Sequence, residues 1–153
     1  MNYLTTIILA LVSFYVLLLT IVFFFQRNLL YHPSADNYLK GQVTSEPTEI
    51  EKVNITTKDK INLVGWFYNK NLVKLKTILF FHGNGEIGPE YDDIAAVYNQ
   101  RGFNFIIADF RGYGFSNGTP TAENTMRDAH IILDFVQKYI KENKYLGSLI
   151  LMG

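Results

Sequence analysis

The sequence predicts an α/β fold preceded by one transmembrane helix, and two observations carry this prediction. The first 26 residues contain no charged side chain, and the chain beyond them alternates short apolar runs with segments of helical spacing. Such alternation is typical of a parallel sheet with right-handed crossovers and helices on both faces. The expected order within residues 50–153 is an antiparallel hairpin, followed by parallel strands joined by crossover helices.

Residues 4–25 form an uncharged segment that we interpret as a single-pass amino-terminal anchor in contact with the lipid bilayer. As a helix this segment extends about 33 Å, enough for a hydrocarbon core of ~30 Å. A cleaved signal peptide is the alternative, but a basic amino-terminal region and a small-residue cleavage site are missing. Arg27 and Lys40 follow the segment, and no Lys or Arg precedes it. This asymmetry slightly favours a cytoplasmic soluble domain.

The organisation that follows has three parts: the anchor at residues 1–26, a juxtamembrane linker at 27–49 and a globular unit at 50–153. Lys and Arg number 14, and Asp and Glu also number 14. The chain therefore lacks the basic excess of proteins that bind nucleic acid through its phosphates. The absence of cysteine excludes disulfides, a cysteine nucleophile and thiolate zinc sites.

The strands of the globular unit are predicted from two kinds of apolar pattern. Residues 50–56 and 61–67 alternate apolar and polar side chains around a short connection, which predicts the hairpin. Unbroken apolar runs are typical of strands buried on both faces. These runs cover residues 77–81, 103–110 and 148–152.

Two helices are expected between the parallel strands. The first covers residues 89–101, stops at Gly102 and carries apolar side chains at helical spacing. The second follows Thr121, a favourable N-cap, and extends to about Lys141. Its predicted apolar stripe consists of Met126, Ala129, Leu133 and Val136. The apolar positions of the first helix are Ile94, Val97 and Tyr98.

The last apolar run, residues 148–152, suits the middle of a sheet but is expected at or near an edge of residues 50–153. An exposed apolar edge strand is an aggregation hazard. A polypeptide of residues 27–153 is therefore expected to be poorly soluble.

Two glycine-rich loops are expected at the carboxyl ends of the parallel strands, where ligands bind in sheets of this kind. The HGN loop covers residues 82–88, and the RGYG loop covers residues 111–118. Glycines in the HGN loop permit backbone N–H groups to converge on one spot, where such donors stabilise a developing oxyanion. A plain strand-to-helix turn is the alternative interpretation of that loop.

Residues 109–120 form a longer motif, Asp-Phe-Arg-Gly-Tyr-Gly-Phe-Ser-Asn-Gly-Thr-Pro. With His82-Gly83-Asn84 in the same order and spacing, the chain resembles the membrane-anchored serine hydrolases of the α/β-hydrolase superfamily. The resemblance extends from the anchor to Gly153. It implies the amino-terminal part of an α/β-hydrolase fold that hydrolyses an ester, thioester or amide of a small acyl-type substrate. It implies no metal and no organic cofactor.

The resemblance also implies roles for individual residues. Asn84 is implied to supply a backbone N–H to the oxyanion hole, with Gly85 as a second candidate. His82 is implied to anchor the loop by hydrogen bonds, and not to act as the catalytic base. The other residues implied to structure the two loops are Gly83, Asp109, Arg111, Gly112, Gly114 and Ser116.

Ser116 needs separate consideration, because residues 114–118 fit the nucleophile-elbow pattern G-x-S-x-G. An elbow holds its serine on a sharp turn between a strand and a helix. Here Ser116 lies several residues beyond the strand end, and Pro120 precedes the next helix. Ser116 is therefore expected to be a loop residue that makes local hydrogen bonds to the backbone.

The expected elbow begins at Gly153, which matches its first glycine. The nucleophile is expected two residues after Gly153, and the acid and the histidine follow it in chain order. No catalytic residue is thus expected within residues 1–153, and loss of a triad lowers kcat by about 10⁶. A non-catalytic anchored relic that binds a partner or ligand, and a membrane protein whose anchor is its functional part, stay open as alternatives.

Overall fold

The computed structural model describes residues 2–32, 50–68 and 75–153. The chain divides into two compact units, Met1–His32 and Pro33–Gly153. Most of the predicted linker, residues 33–49, lies outside the described residues.

The first unit is helix α1, Tyr3–Leu30, which extends four residues beyond the predicted anchor. It is long and apolar enough to cross a membrane, a criterion that a signal sequence also meets. None of its residues is buried by protein. The Thr20 hydroxyl donates to the Val16 carbonyl oxygen at 2.8 Å, so this polar group finds its partner within the helix.

The second unit contains one five-stranded sheet in the order β1-β2-β4-β3-β5. The strands are β1 Ile50–Thr56, β2 Asn62–Tyr68, β3 Lys76–Phe80, β4 Phe103–Asp109 and β5 Leu149–Met152. β1 and β2 form the predicted antiparallel hairpin, and β2 pairs antiparallel with β4. β3 pairs parallel with both β4 and β5. The predicted hairpin and parallel strands are confirmed.

The helices lie on opposite faces of this sheet. A 3-10 turn, Gly88–Tyr91, leads into helix α2, Asp92–Gln100, which packs on one face. Helix α3, Ala122–Glu142, packs on the other face against the side chains of Phe67 and Ile106. Thr121 caps α3 as predicted, because its hydroxyl accepts the Asn124 N–H at 3.2 Å.

The predicted apolar stripe of α3 is wrong in part. Met126 is 66% exposed, whereas Asp128 and Ile132 are buried together with Val136. The buried side of α3 includes Asp128, which forms an ion pair with the buried side chain of Arg111. A search for apolar spacing excludes a charged residue such as Asp128. The predicted stripe therefore included the exposed Met126 in the first turns of the helix.

The predicted face of α2 is wrong in part, because only Tyr98 of its three apolar positions packs against the sheet. Ile94 and Val97 are each 44% exposed, and Ala95 and Asn99 face the sheet instead. The small Ala95 side chain lets α2 approach the aromatic surface of the sheet closely.

β5 is an edge strand among the described strands, as predicted, and its exposed side is apolar. Leu151 is 55% exposed, and Leu146 in the preceding turn is 75% exposed. We expect residues 27–153 to be largely insoluble when expressed alone, and Leu151→Lys to raise the soluble fraction several-fold by charging this edge. Asn54→Lys, on the opposite edge strand β1, is the matched control and should change little. A sharp, reversible, monomeric melt of unmodified 27–153 would contradict the prediction.

Candidate active site at the carboxyl edge of the sheet

The carboxyl ends of β3, β4 and β5 lie side by side, and they bring the HGN and RGYG loops together. Phe80 is aligned with Met152, and the Phe81 N–H donates to the Met152 carbonyl oxygen at 2.8 Å. Gly153, where the elbow is expected to begin, therefore follows β5 directly beside the start of the HGN loop.

His82 connects the two loops. It is 6% exposed, and its Nε2 accepts the Phe110 N–H at 3.2 Å. Its Nδ1 then carries the proton and donates to the Gly83 carbonyl oxygen at 2.8 Å. Because a trans peptide is planar, the Gly83 carbonyl and the Asn84 N–H point in opposite directions. His82 thereby sets the direction of the candidate oxyanion donor.

Asn84 and Gly85 form the tip of the HGN loop, and Gly85 has a φ of +85°. The Asn84 side chain is held by the Tyr113 hydroxyl, which donates to Oδ1 at 2.6 Å. Glu86 folds back and accepts the Gly83 N–H at 2.7 Å and the Tyr91 hydroxyl. The bond from Tyr91, followed by that from Gly83, lowers the pKa of the Glu86 carboxyl.

Asp109, the last residue of β4, is fully buried and ties three segments together. It accepts the Gly88 N–H at 2.5 Å, the Trp66 indole N–H at 3.0 Å and the Phe115 N–H at 3.4 Å. Burial raises the pKa of Asp109, and the bonds from Trp66 and Gly88 offset part of that effect. The carboxyl group thus holds both loops against β2.

Two glycines are required by this packing. Gly114 has a φ of +50°, and a Cβ there would lie 2.4 Å from Asp109 Oδ2. A Cβ on Gly88 would lie 2.1 Å from the Trp66 ring. Only a residue without a side chain lets the loops approach Asp109 and Trp66 this closely.

Arg111 fixes the RGYG loop to α3 and to the hairpin turn. Its guanidinium binds Asp128 through two bonds, Nε–Oδ2 at 2.5 Å and Nη2–Oδ1 at 2.6 Å. It also donates to Asp59 at 2.9 Å, and Asp59 receives a second bond from Arg127 at 3.1 Å. The Arg111 and Asp128 side chains are 5% and 0% exposed, respectively. The bond to Asp128 is the main cause of the raised pKa of Arg111.

Ser116 is 7% exposed, and its hydroxyl is engaged on both sides. It donates to the Asp109 carbonyl oxygen at 2.6 Å and accepts the Val64 N–H at 2.8 Å. The first bond is the local one expected, whereas the second reaches β2. Gly112, four residues before Ser116 in the same loop, donates its N–H to the Asn117 carbonyl oxygen at 3.1 Å. Ser116 therefore lies in a closed loop, not on a strand-to-helix elbow.

Comparison with known proteins identifies the family. A family model described as Hydrolase_4, serine aminopeptidase S33, matches residues 74–153. The chain belongs to this family of α/β hydrolases. The predicted superfamily and fold class are confirmed.

Individual relatives of this α/β hydrolase are distant and longer. The protein YfhR of Salmonella typhi is 29% identical over 82% of this chain and 42% of its own length. The membrane protein YNL320W of Saccharomyces cerevisiae is 31% identical over 70% of this chain and 39% of its own. The chain thus spans about two fifths of the curated relatives that it matches.

A solved structure shows the same relationship. The esterase Pf2001 of Pyrococcus furiosus superposes with a TM-score of 0.54 at 25% identity, covering 68% of this chain and 42% of the esterase.

Several residues that build this candidate site escaped the sequence analysis. Tyr113 lies inside the recognised motif, but its partner is 29 residues away in the other loop. Asp59 and Asp128 carry no local motif, and Glu86 resembles an ordinary charged loop residue. Only Arg111 offered a signal for Asp59 and Asp128. The resemblance implied that Arg111 structures its loop, and a guanidinium that becomes buried in this way requires carboxylate partners.

The Asp59 ion pair predicts a pH dependence of stability. The bond from Arg111, followed by that from Thr57, lowers the pKa of Asp59 below its ordinary value of 3.8. Its contribution is therefore present above pH 3.8 and is lost as the pH falls below that value. We expect Asp59→Asn to lower the urea midpoint at pH 7, and the difference from wild type to shrink in acid. A difference that stays constant down to the acid limit of folding would contradict this.

Proposed function

We propose that residues 1–153 are the amino-terminal part of a membrane-anchored serine hydrolase that cleaves an ester, thioester or amide by acyl transfer. The observation that carries the proposal is the pairing of β3 with β5, which sets Gly153 beside the HGN loop. A serine two residues after Gly153 would emerge next to Asn84 and Gly85. A nucleophile and an oxyanion donor must face one carbonyl group in this way.

The reaction follows from that arrangement. The serine oxygen attacks the carbonyl carbon while a histidine beyond Gly153 accepts its proton and passes it to the leaving group. Water then hydrolyses the acyl-enzyme by the same route in reverse. The Asn84 N–H, directed by His82, binds the oxygen that gains negative charge, with Gly85 as the second candidate. The family match and the esterase Pf2001 support this chemistry.

The anchor belongs to the same proposal. Helix α1 is long and apolar enough to cross a membrane, and one similar yeast protein is described as a membrane protein. We propose that α1 is retained in the bilayer and that the soluble unit faces the cytoplasm. Such an enzyme would meet small acyl substrates that partition to the membrane surface.

The test is activity-based labelling of the protein made from the gene together with the residues that follow Gly153. A fluorophosphonate probe should label one serine, and peptide mapping should locate it two residues beyond Gly153. Residues 1–153 alone are the control and should stay unlabelled. A label on Ser116 would contradict the assignment of the nucleophile. Absence of any label on the longer, folded protein would favour the non-catalytic alternative.

Anchoring is tested separately on membranes. Alkaline carbonate should leave the protein that includes the residues after Gly153 in the membrane pellet, and deletion of residues 1–30 should release it. Because the chain contains no cysteine, a single Asn54→Cys variant can report the side of the soluble unit. Modification of that thiol by an impermeant maleimide in intact cells would contradict the cytoplasmic assignment.

A further inference from the structure

We propose that Tyr113 is a positioning residue for the oxyanion hole, acting from the RGYG loop through the Asn84 side chain. The inference rests on the proposed hydrolase function, and it assigns a role that the motif analysis did not give to Tyr113. Its basis is the bond from the Tyr113 hydroxyl to Asn84 Oδ1, at 2.6 Å.

The tip of the HGN loop needs such an anchor. Asn84 stands between Gly83 and Gly85, and glycine restricts the backbone less than any other residue. His82 fixes the Gly83 carbonyl on one side of Asn84, and the Tyr113 hydroxyl binds the Asn84 side chain itself. The Tyr113 bond restrains the Asn84 side chain and thereby the peptide on which the proposed donor lies.

Tyr113 is itself rigid enough for this role. It is 4% exposed, and its ring centroid lies 5.3 Å from that of His82. Its N–H donates to the Phe110 carbonyl oxygen at 2.9 Å, and its own carbonyl accepts the Ser116 N–H at 2.9 Å. A phenol held by its ring and by its backbone presents the hydroxyl at a fixed point.

The expected effect falls on the chemical step and not on substrate binding. An oxyanion donor acts on charge that develops in the transition state, so its misalignment lowers kcat while KM is retained. Loss of one donor costs about 10²–10³ in kcat, and a misplaced donor costs less. We expect Tyr113→Phe to lower kcat about 10- to 100-fold and to change KM less than about twofold.

The experiment uses the anchored protein with the residues that follow Gly153, solubilised in detergent, and p-nitrophenyl esters as the probe. Tyr139→Phe is the matched control, since the Tyr139 hydroxyl donates to Glu51 Oε2 at 2.8 Å, far along α3 from both loops.

Asn84→Ala and the double variant Tyr113→Phe/Asn84→Ala complete a double-mutant cycle. If Tyr113 acts through Asn84, the double variant should be no slower than Asn84→Ala alone. Amide exchange at Asn84 should accelerate in Tyr113→Phe and not in Tyr139→Phe.

The outcomes separate this inference from the proposed function. A loss of kcat at constant KM, with faster exchange at Asn84 and a non-additive cycle, supports the role of Tyr113. Unchanged kcat in an active Tyr113→Phe protein, or additive losses in the cycle, overturns the role and leaves the hydrolase proposal standing. A folded wild-type protein that neither hydrolyses the p-nitrophenyl esters nor reacts with the fluorophosphonate probe overturns both.

Discussion

Replacing Arg111 with methionine is expected to lower the free energy of unfolding by about 3–5 kcal/mol, because Asp128 would keep its buried charge without a partner. Methionine retains most of the volume and apolar length of the arginine stem, so the loss reports the ion pair more than a cavity. Asp128 is fully buried, and both bonds that it receives from Arg111 are short. Urea unfolding followed by tryptophan fluorescence is the measurement, since Trp66 is the sole tryptophan.

Arg127→Met is the matched control for this prediction. Arg127 pairs with the same Asp59 that Arg111 contacts, but its side chain is 51% exposed. Exposed ion pairs contribute about 0–1 kcal/mol, so the control should unfold close to the wild type. Equal losses in the two variants would show that burial of the Arg111–Asp128 pair carries no special weight.

Asp109→Ala is expected to destabilise the unit by at least about 3 kcal/mol, because three N–H donors lose their common acceptor. Each buried donor left without a partner costs about 1–3 kcal/mol. The donors belong to Trp66, Gly88 and Phe115, so the HGN and RGYG loops would separate from β2 as well. Chemical denaturation measures the first effect, and limited proteolysis within residues 82–88 and 111–118 measures the second.

The control for Asp109 is Asp93→Ala, in the first turn of α2. Asp93 is exposed and lies in the first turn, where the interaction of a carboxylate with the helix dipole is worth about 0.3–1 kcal/mol. Its removal should leave proteolysis of both loops unchanged. If Asp109→Ala unfolds near the wild-type midpoint with intact loops, then water replaces the carboxylate at little cost. The prediction that Asp109 holds both loops would then be wrong.

The elements of the fold could be predicted because each has a local signature. The run at residues 77–81 is shifted by one residue from the observed β3, and the run at 103–110 ends one residue after β4, since apolar runs and glycine stops are properties of neighbouring residues. The apolar helix α1 was recognisable from its length and from the lack of charge in residues 1–26. Assignment of the loops to the carboxyl edge followed from the alternation of strands and helices.

The contacts within the site could not be predicted, because they depend on the packing of distant segments. Asp128 on α3 forms its buried ion pair with Arg111 of the RGYG loop, and the spacing of residues within the helix does not indicate that partner. The Tyr113–Asn84 bond likewise requires β3 and β4 to be neighbours. Two of the three apolar positions predicted for α2 were wrong, since nine residues contain too few turns for apolar spacing to distinguish one side.

The strand order has a consequence for synthesis on the ribosome. β3 is made before either of its neighbours, because β4 and β5 both follow it in the chain. β4 lies between β2 and β3 in the sheet. The nascent hairpin and β3 therefore cannot join a common sheet until Asp109, the last residue of β4, has left the exit tunnel. Up to that moment the apolar segment Lys76–Phe80 has no partner strand and is exposed to non-native association. Arrest of synthesis when β3 has emerged and β4 is still inside the tunnel should therefore increase chaperone capture of the nascent chain, whereas arrest after β4 has emerged should not.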